Sequence, residues 1–290
     1  MFGPTGSGKS TLCALVAQHL TDTLVDIQRT TGYSTPLVLD ALASESKSFG
    51  WKDFYKQWIV HLCQLHPDIN IDIGVEGVRR TANGTIVINE RVSVYNLREA
   101  ATLLTRQVKP VAILIDEAPH IKKLASGEHV SYQMDVLKSL IDRTGTVFVL
   151  VGTYEMLDMI NQNGQQGRRS RDVHLHRYTA QGTEWDAFRS ILNTLQDHLP
   201  VARQPNLVRM ATYLYKGCLG CVGILVPWLS DTLTTVLKAG KQTITKKDLE
   251  AHKLEPGKRL QIAHEINEGE TKLANIEEKC DAELDMLLGI

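Results

Sequence analysis

The segment GPTGSGKST at residues 3–11 constrains this chain more than any other. It fits the pattern G-x-x-x-x-G-K-[ST] at each fixed position, with Gly3, Gly8, Lys9 and Ser10. The spacing has a chemical meaning. Glycines let successive backbone N–H groups turn inward around the α- and β-phosphates of a nucleotide. Lys9 reaches the β/γ oxygens, and the Ser10 hydroxyl is suited to ligate Mg²⁺ at the positive end of the following helix. Pro4, Thr5, Gly6, Ser7 and Thr11 complete the wrapping loop and first turn. A chance Gly/Ser turn is the alternative, but Leu12, Leu15, Val16 and Leu20 follow at near-helical spacing and predict a helix over Ser10–Leu20. Such a loop ordinarily hangs between a buried strand and a helix. Here only Met1 and Phe2 precede it, so the strand is expected to be missing.

Further along, an apolar run within Thr35–Ser44 predicts a buried strand. Trp51, Phe54, Tyr55, Trp58, Ile59 and Leu62 recur at helical spacing and predict a helix. The text between Pro67 and Glu90 turns short, Gly-rich and strand-like, and reads as an insertion or loop rather than core. Val111–Ile115 form a continuous apolar run ending in Asp116 and Glu117, as a central parallel strand would, and ligands of open α/β sheets bind at such carboxyl ends. Asp116 would complete the Mg²⁺ shell and Glu117 would polarise an attacking water; two solvated acids at a strand end are the alternative. A helix around Val130–Thr144 precedes another apolar run ending at Gly152 and Thr153. If that strand lies between those of the two phosphate motifs, the Thr153 hydroxyl is placed to orient water beside the γ-phosphate. Arg168, Arg169 and Arg171 form the densest basic cluster. One of them would serve as an arginine finger supplied to a neighbouring subunit, as a phosphate contact, or as solvated surface.

At 290 residues and 43% hydrophobic content, the chain can bury a substantial core in one large or two modest domains. No apolar run reaches membrane-spanning length, no leader pattern opens the chain, and five cysteines make no disulfide framework. A soluble cytoplasmic protein with no membrane partner is expected. The net charge of −1 hides an asymmetry: residues 255–290 hold 9 acidic and 4 basic side chains, which leaves 24 of the 33 acidic and 28 of the 32 basic ones in residues 1–254. A body so mildly basic would grip nucleic acid through a local patch or through many subunits together.

The order GPTGSGKST, ILIDEAPH, VGTYEM and GRRSR resembles the AAA+ ATPases, and more narrowly the TnsC/TniB group of transposon-encoded regulators. The downstream YLYKGCLGCVGIL and the segment Ile244–Leu249 resemble the lid of that group. The resemblance spans about residues 3–250 and implies an α/β fold, a P-loop AAA+ parallel sheet flanked by helices and followed by a small helical lid. The expected division is 1–180 for the nucleotide-binding part, 181–253 for the lid and 254–290 for an acidic amphipathic tail. It implies ATP and Mg²⁺ as cofactors, and duplex DNA, a transposase and a target-selector protein as partners. A homo-oligomeric ring or helical filament is implied as well. Two departures stand out. Lys216–Gly220 offers no arginine where many such lids present one, and the family's N-terminal strand is absent, so a truncated frame or fragment is expected.

Other classes weigh less. A small-molecule P-loop kinase is disfavoured by Glu117 beside Asp116; an IstB-like or helicase-loader-like ATPase, or a nucleotide-gated scaffold without DNA, remain as alternatives. Cys218 and Cys221 have metal spacing but no second pair, and His174 and His176 would share a strand face in a structural role. Lys122–Lys123 and Arg79–Arg80 are candidate phosphate-backbone contacts. From Leu273 the residues Ile276, Cys280, Leu284, Leu287 and Leu288 form a helical stripe among acids, able to dock on a partner or fold back.

Overall fold

A computed structural model describes residues 1–42, 49–69, 77–81, 83–122, 128–160 and 170–289. The chain divides into two compact units, Met1 with Ser10–Asp172, and Phe2–Lys9 with Val173–Ile290.

The first unit is built on a parallel sheet of β1 (Leu37–Asp40), β4 (Ala112–Asp116) and β5 (Val147–Leu150), in the order β1-β4-β5. The register aligns Asp40 with Asp116 and Ile115 with Leu150. Helix α1 (Lys9–Thr31) extends well past Leu20, because nothing breaks it before Gly32, whose φ is +67°. Its Cys13 and Leu20 pack with Ala112, Leu114, Val149 and Val151 on one sheet face. The expected apolar stripe is thereby corrected. Leu15 and Val16 are 60% and 39% exposed, and among the described residues the buried apolar positions of α1 are Cys13 and Leu24.

On the opposite face lie Ile113 and Phe148, paired in register, with Trp58 of α2 (Trp51–Leu65) against Phe148 at 5.8 Å. Trp58 is fully buried and donates its Nε1–H to Thr105 of α3 (Val94–Val108) at 3.0 Å, which satisfies the indole inside the core. Between α2 and α3, β2 (Val78–Arg80) and β3 (Ile86–Ile88) form a small antiparallel ribbon. The segment expected as a strand-like insertion thus carries two short strands. Helix α4 (Glu128–Thr144) precedes β5, and α5 (Leu157–Ile160) follows it.

At the free edge of β5, Met1 N donates to Leu150 O at 2.7 Å, and Met1 O accepts from Gly152 N at 3.1 Å. The strand position expected to be missing is therefore held by the Met1 backbone. β5 lies between it and β4, the order on which the reading of Thr153 was conditional.

The second unit is helical: α6 (Gly182–Asp197), α7 (Ala211–Cys218), α8 (Val222–Lys238), α9 (Lys246–His252) and α10 (Pro256–Leu288). Its core joins Phe188 and Leu192 to Leu207, Leu214, Leu225, Trp228, Leu229, Val236 and Leu249. Trp228 Nε1 donates to Leu249 O at 2.7 Å. The tail expected over 254–290, with its apolar stripe from Leu273, lies on the single helix Pro256–Leu288. Its first half is tied down by buried Ile266 and by Glu270, which accepts two bonds from Arg177 at 2.8 and 2.9 Å. Leu284, Met286, Leu287 and Leu288 stay 50–82% exposed, so the end of the helix does not fold back on its own unit.

The Ile244–Leu249 segment owes its shape to a capping box: Thr245 accepts from Asp248 N, and Asp248 accepts from Thr245 N. Lys241, the largest contribution, and Thr245 hold the Asp248 carboxyl down at about 2 from its ordinary 3.8. A depressed folded pKa stabilises fully above pH 3.8, and the contribution is lost as pH falls toward about 2. Asp248→Asn is therefore expected to cost about 1 kcal/mol near neutral pH, with the gap from the parent shrinking below about pH 3 in denaturant titrations. A gap independent of pH would contradict this assignment.

Candidate functional site

The glycine loop lies wholly within the second unit and is shaped by close backbone contacts. Phe2 bridges the Val173–Leu175 segment in parallel: Phe2 N donates to Val173 O at 2.9 Å, and Leu175 N to Phe2 O at 2.8 Å. The Phe2 ring stacks on His174 at 5.2 Å, and His176 lies 5.8 Å from His174 and bonds Glu184 at 3.1 Å, so both histidines serve structure. Gly3 is required here, since a Cβ would meet Leu175 O at 2.1 Å. Gly6 and Gly8 adopt φ of +77° and +95°, the left-handed turns that bring loop amides inward.

Lys9 is 9% exposed, and its Nζ donates to Gly3 O at 3.1 Å and Pro4 O at 2.7 Å, so its charge sits over the loop it follows. Ser7 Oγ is buried and finds no hydrogen-bond partner among the described residues. Thr5 is exposed and Pro4 buried. An orphaned hydroxyl, a buried ammonium and a glycine turn in one loop fit an anionic ligand with several oxygens.

Within the first unit, Ser10 at the start of α1 opens onto a cleft that it shares with Cys13, Thr35, Asp40 and Asp116. Among the described residues nothing basic lines this cleft, where two carboxylates and a hydroxyl form a donor set suited to a hard divalent cation. Asp40 was not singled out from sequence. Its signal was available, since it ends a buried strand as Asp116 does, but only the register reveals that the two are neighbours. Cys13 is pushed up to about 11 by burial, then by Asp116 and Asp40.

Beyond Asp116 the chain turns sharply. Glu117 is exposed with φ of +52°, its N–H bonded to Asp116 Oδ1 at 2.8 Å. Such strain in a non-glycine residue persists where the surroundings fix it. Ala118 N donates to Val151 O, Ala41 N to Asp116 O, and His120 Nδ1 contacts Ala41 O at 2.8 Å. These bonds lock the ends of all three strands. Thr153, half-buried, follows β5 and does not use its hydroxyl to cap the 3-10 turn Tyr154–Met156. Gly152 beneath it admits no side chain, because a Cβ would lie 2.3 Å from Pro119.

The structure thus groups Gly3–Lys9 in one unit, and Ser10, Asp116, Glu117 and Thr153 at strand and helix ends of the other. Thr11 is exposed in the first turn of α1, and Arg171 is exposed. Arg168 and Arg169 lie outside the described residues.

A parallel sheet with acids at its carboxyl ends, together with a glycine loop leading into a helix, defines a P-loop nucleotide-binding protein. A family model described as an AAA domain matches residues 1–160, and the chain belongs to that family of P-loop ATPases. Among solved structures, the ORC2 protein of Aeropyrum pernix, described in ADPNP–ADP complexes, matches with a TM-score of 0.54 at 12% identity. That match covers 87% of this chain and 59% of the other, so the chain spans well under two thirds of that relative. A Walker-type ATPase of Pyrococcus abyssi matches with a TM-score of 0.51 at 12% identity, over 99% and 72% of the two chains. No curated protein matches in sequence. Among the described residues no single helix is long and apolar enough to cross a membrane.

Burial around the site has a direct chemical readout. Cys13, Cys63, Cys218 and Cys221 are buried and Cys280 is exposed. Burial pushes the thiols of Cys218 and Cys221 up to about 12 and about 11, so both stay protonated at neutral pH. A maleimide is expected to label one thiol rapidly, Cys280, and the other four only on unfolding; two or more fast equivalents would contradict the packing described.

Proposed function

We propose that this chain is an ATP-dependent regulator of DNA transposition of the TnsC/TniB group, which oligomerises on duplex DNA and links a target-selector protein to a transposase. Residues 1–180 form its nucleotide-binding part, 181–253 its lid and 254–290 its tail. The observation that carries the ATPase mechanism is the alignment of Asp116, Glu117 and Thr153 at the carboxyl ends of adjacent parallel strands, in a chain that also holds a glycine phosphate loop. The narrower group rests on the motif order and the Ile244–Leu249 segment.

In this reading the amides of Gly6–Ser10 and the Lys9 ammonium bind the phosphates, with Gly3, Pro4, Thr5 and Thr11 shaping the wrap. Ser10 and Asp116 would hold Mg²⁺, which when bound would supply charge neutralisation on the phosphate oxygens. Glu117 accepts a hydrogen bond from the attacking water and orients it, while the Thr153 hydroxyl fixes its second contact. An arginine from Arg168, Arg169 or Arg171 reaches a neighbour's γ-phosphate, which makes hydrolysis depend on assembly.

Glu117→Gln is expected to bind ATP like the parent and to hydrolyse it roughly 10²-fold more slowly. Parental turnover would remove Glu117 from the mechanism. The DNA part is tested by electron microscopy of the chain with duplex DNA and a slowly hydrolysed ATP analogue. Rings or filaments on DNA are expected, and an Arg171→Ala variant that assembles and hydrolyses normally would withdraw Arg171 as the finger. ATP turnover with no DNA association at low salt would leave a nucleotide-gated scaffold instead.

A further inference from the structure

The helical unit has no arginine at the start of α8, yet that start is bonded directly to the phosphate loop. Gly223 N donates to Gly6 O at 2.8 Å. Helix α8 begins with unsatisfied backbone donors, as every helix does, and the Gly6 carbonyl takes one of them. The approach is as close as backbones permit: a Cβ on Gly223 would lie 2.7 Å from Gly6 O, and one on Gly6 would lie 2.7 Å from Ile224 Cγ1. The spacing of Gly217, Gly220 and Gly223 is explained by the same demand. Gly217 lies under the Trp228 ring, where a Cβ would come within 2.2 Å, and Gly220 lies against Tyr178 O at an equal distance. Tyr178 N donates in turn to Gly220 O at 3.0 Å, and Tyr215 Oη to Tyr178 O at 3.1 Å, so the turn that presents Gly223 is itself fixed.

This bond acts on the loop through peptide geometry. Gly6 C=O and Ser7 N–H belong to one planar trans peptide and point in opposite directions. Holding the carbonyl toward α8 therefore directs the Ser7 N–H into the loop, where it meets Pro4 O at 3.2 Å, the same oxygen that accepts from Lys9 Nζ. We propose that Gly223 is a positioning residue: its N–H fixes the Gly6–Ser7 peptide and, through the Ser7 N–H bonded to Pro4 O, the turn that shapes the phosphate loop, which couples the helical unit to the nucleotide through backbone rather than through a side-chain cation. The inference rests on the reading that this loop binds nucleotide phosphates.

The test combines affinity, stability and amide exchange. Gly223→Ala forces Gly6 O away and is expected to weaken ATP binding about tenfold, the scale of one well-placed hydrogen bond. Leu229→Ala, in the core of the same unit, serves as the comparison. It is expected to lower the melting temperature while leaving affinity within about twofold of the parent. In the parent chain, exchange of the Gly223 amide should slow when the ATP analogue binds, while that of Leu229 stays unchanged. Parental affinity in Gly223→Ala, or equal loss in both variants, reduces Gly223 to a packing position and overturns the proposal. Should Gly223→Ala fail to fold, an unchanged Gly223 exchange rate on nucleotide binding overturns it alone. Lys9→Ala separates the two levels. If it binds nucleotide as the parent does, the phosphate-loop reading fails and the inference with it; if Lys9→Ala loses binding and Gly223→Ala keeps it, the inference alone fails.

Discussion

If Gly3–Lys9 binds phosphates through its N–H groups, as proposed, those groups cannot also hold the loop in place, beyond the Ser7 N–H that bonds back to Pro4 O at 3.2 Å. Its shape has to be imposed through carbonyls and close contacts. Leu175 O crowds Gly3, Gly223 N takes the Gly6 carbonyl, and Lys9 bonds the carbonyls of Gly3 and Pro4. The contacts of Leu175 O with Gly3 and of Gly223 with Gly6 each demand an absent side chain. Gly223 of the helical unit, far along the sequence, is therefore constrained by the loop itself.

The first unit solves a complementary problem, that of holding acids at strand ends without neutralising them. Ala41, Ala118 and Val151 tie together the backbones around Asp116, and the side chains of Asp40 and Asp116 are left to the cleft beside Ser10. Glu117 is turned away from the strand direction by a left-handed backbone conformation that its neighbours enforce. Two carboxylates with no basic residue among the described residues of the cleft lining raise the local demand for a cation, which matches the chemistry expected of a nucleotide bound with a divalent metal.

Much of this was legible in the sequence where local pattern and tertiary demand agree. Ala112–Asp116 is a strand because an unbroken apolar run can be buried on both faces, and Trp51–Leu65 is a helix because its aromatic residues repeat at the helical period. The glycine loop was legible because its chemistry fixes its spacing. Other features were hidden, for physical reasons. The buried face of α1 is chosen by which residues meet Leu114 and Val151, and that choice left Leu15 and Val16 exposed. Asp40 acquires meaning only through its register with Asp116, and Gly223 only through a contact across more than two hundred residues. Among the described residues no strand precedes the loop, and the Met1 backbone alone bonds the edge of β5 there.

The central claim is that the Gly3–Ser10 backbone binds nucleotide phosphates through its amides. Backbone amide NMR on titration with a slowly hydrolysed ATP analogue and Mg²⁺ tests it most directly. Saturable shifts concentrated in the amides of Gly6, Ser7, Gly8, Lys9 and Ser10 are expected, larger than those produced by AMP, which lacks the β- and γ-phosphates. Saturable binding that leaves those amides unmoved, or equal shifts with AMP, would contradict it.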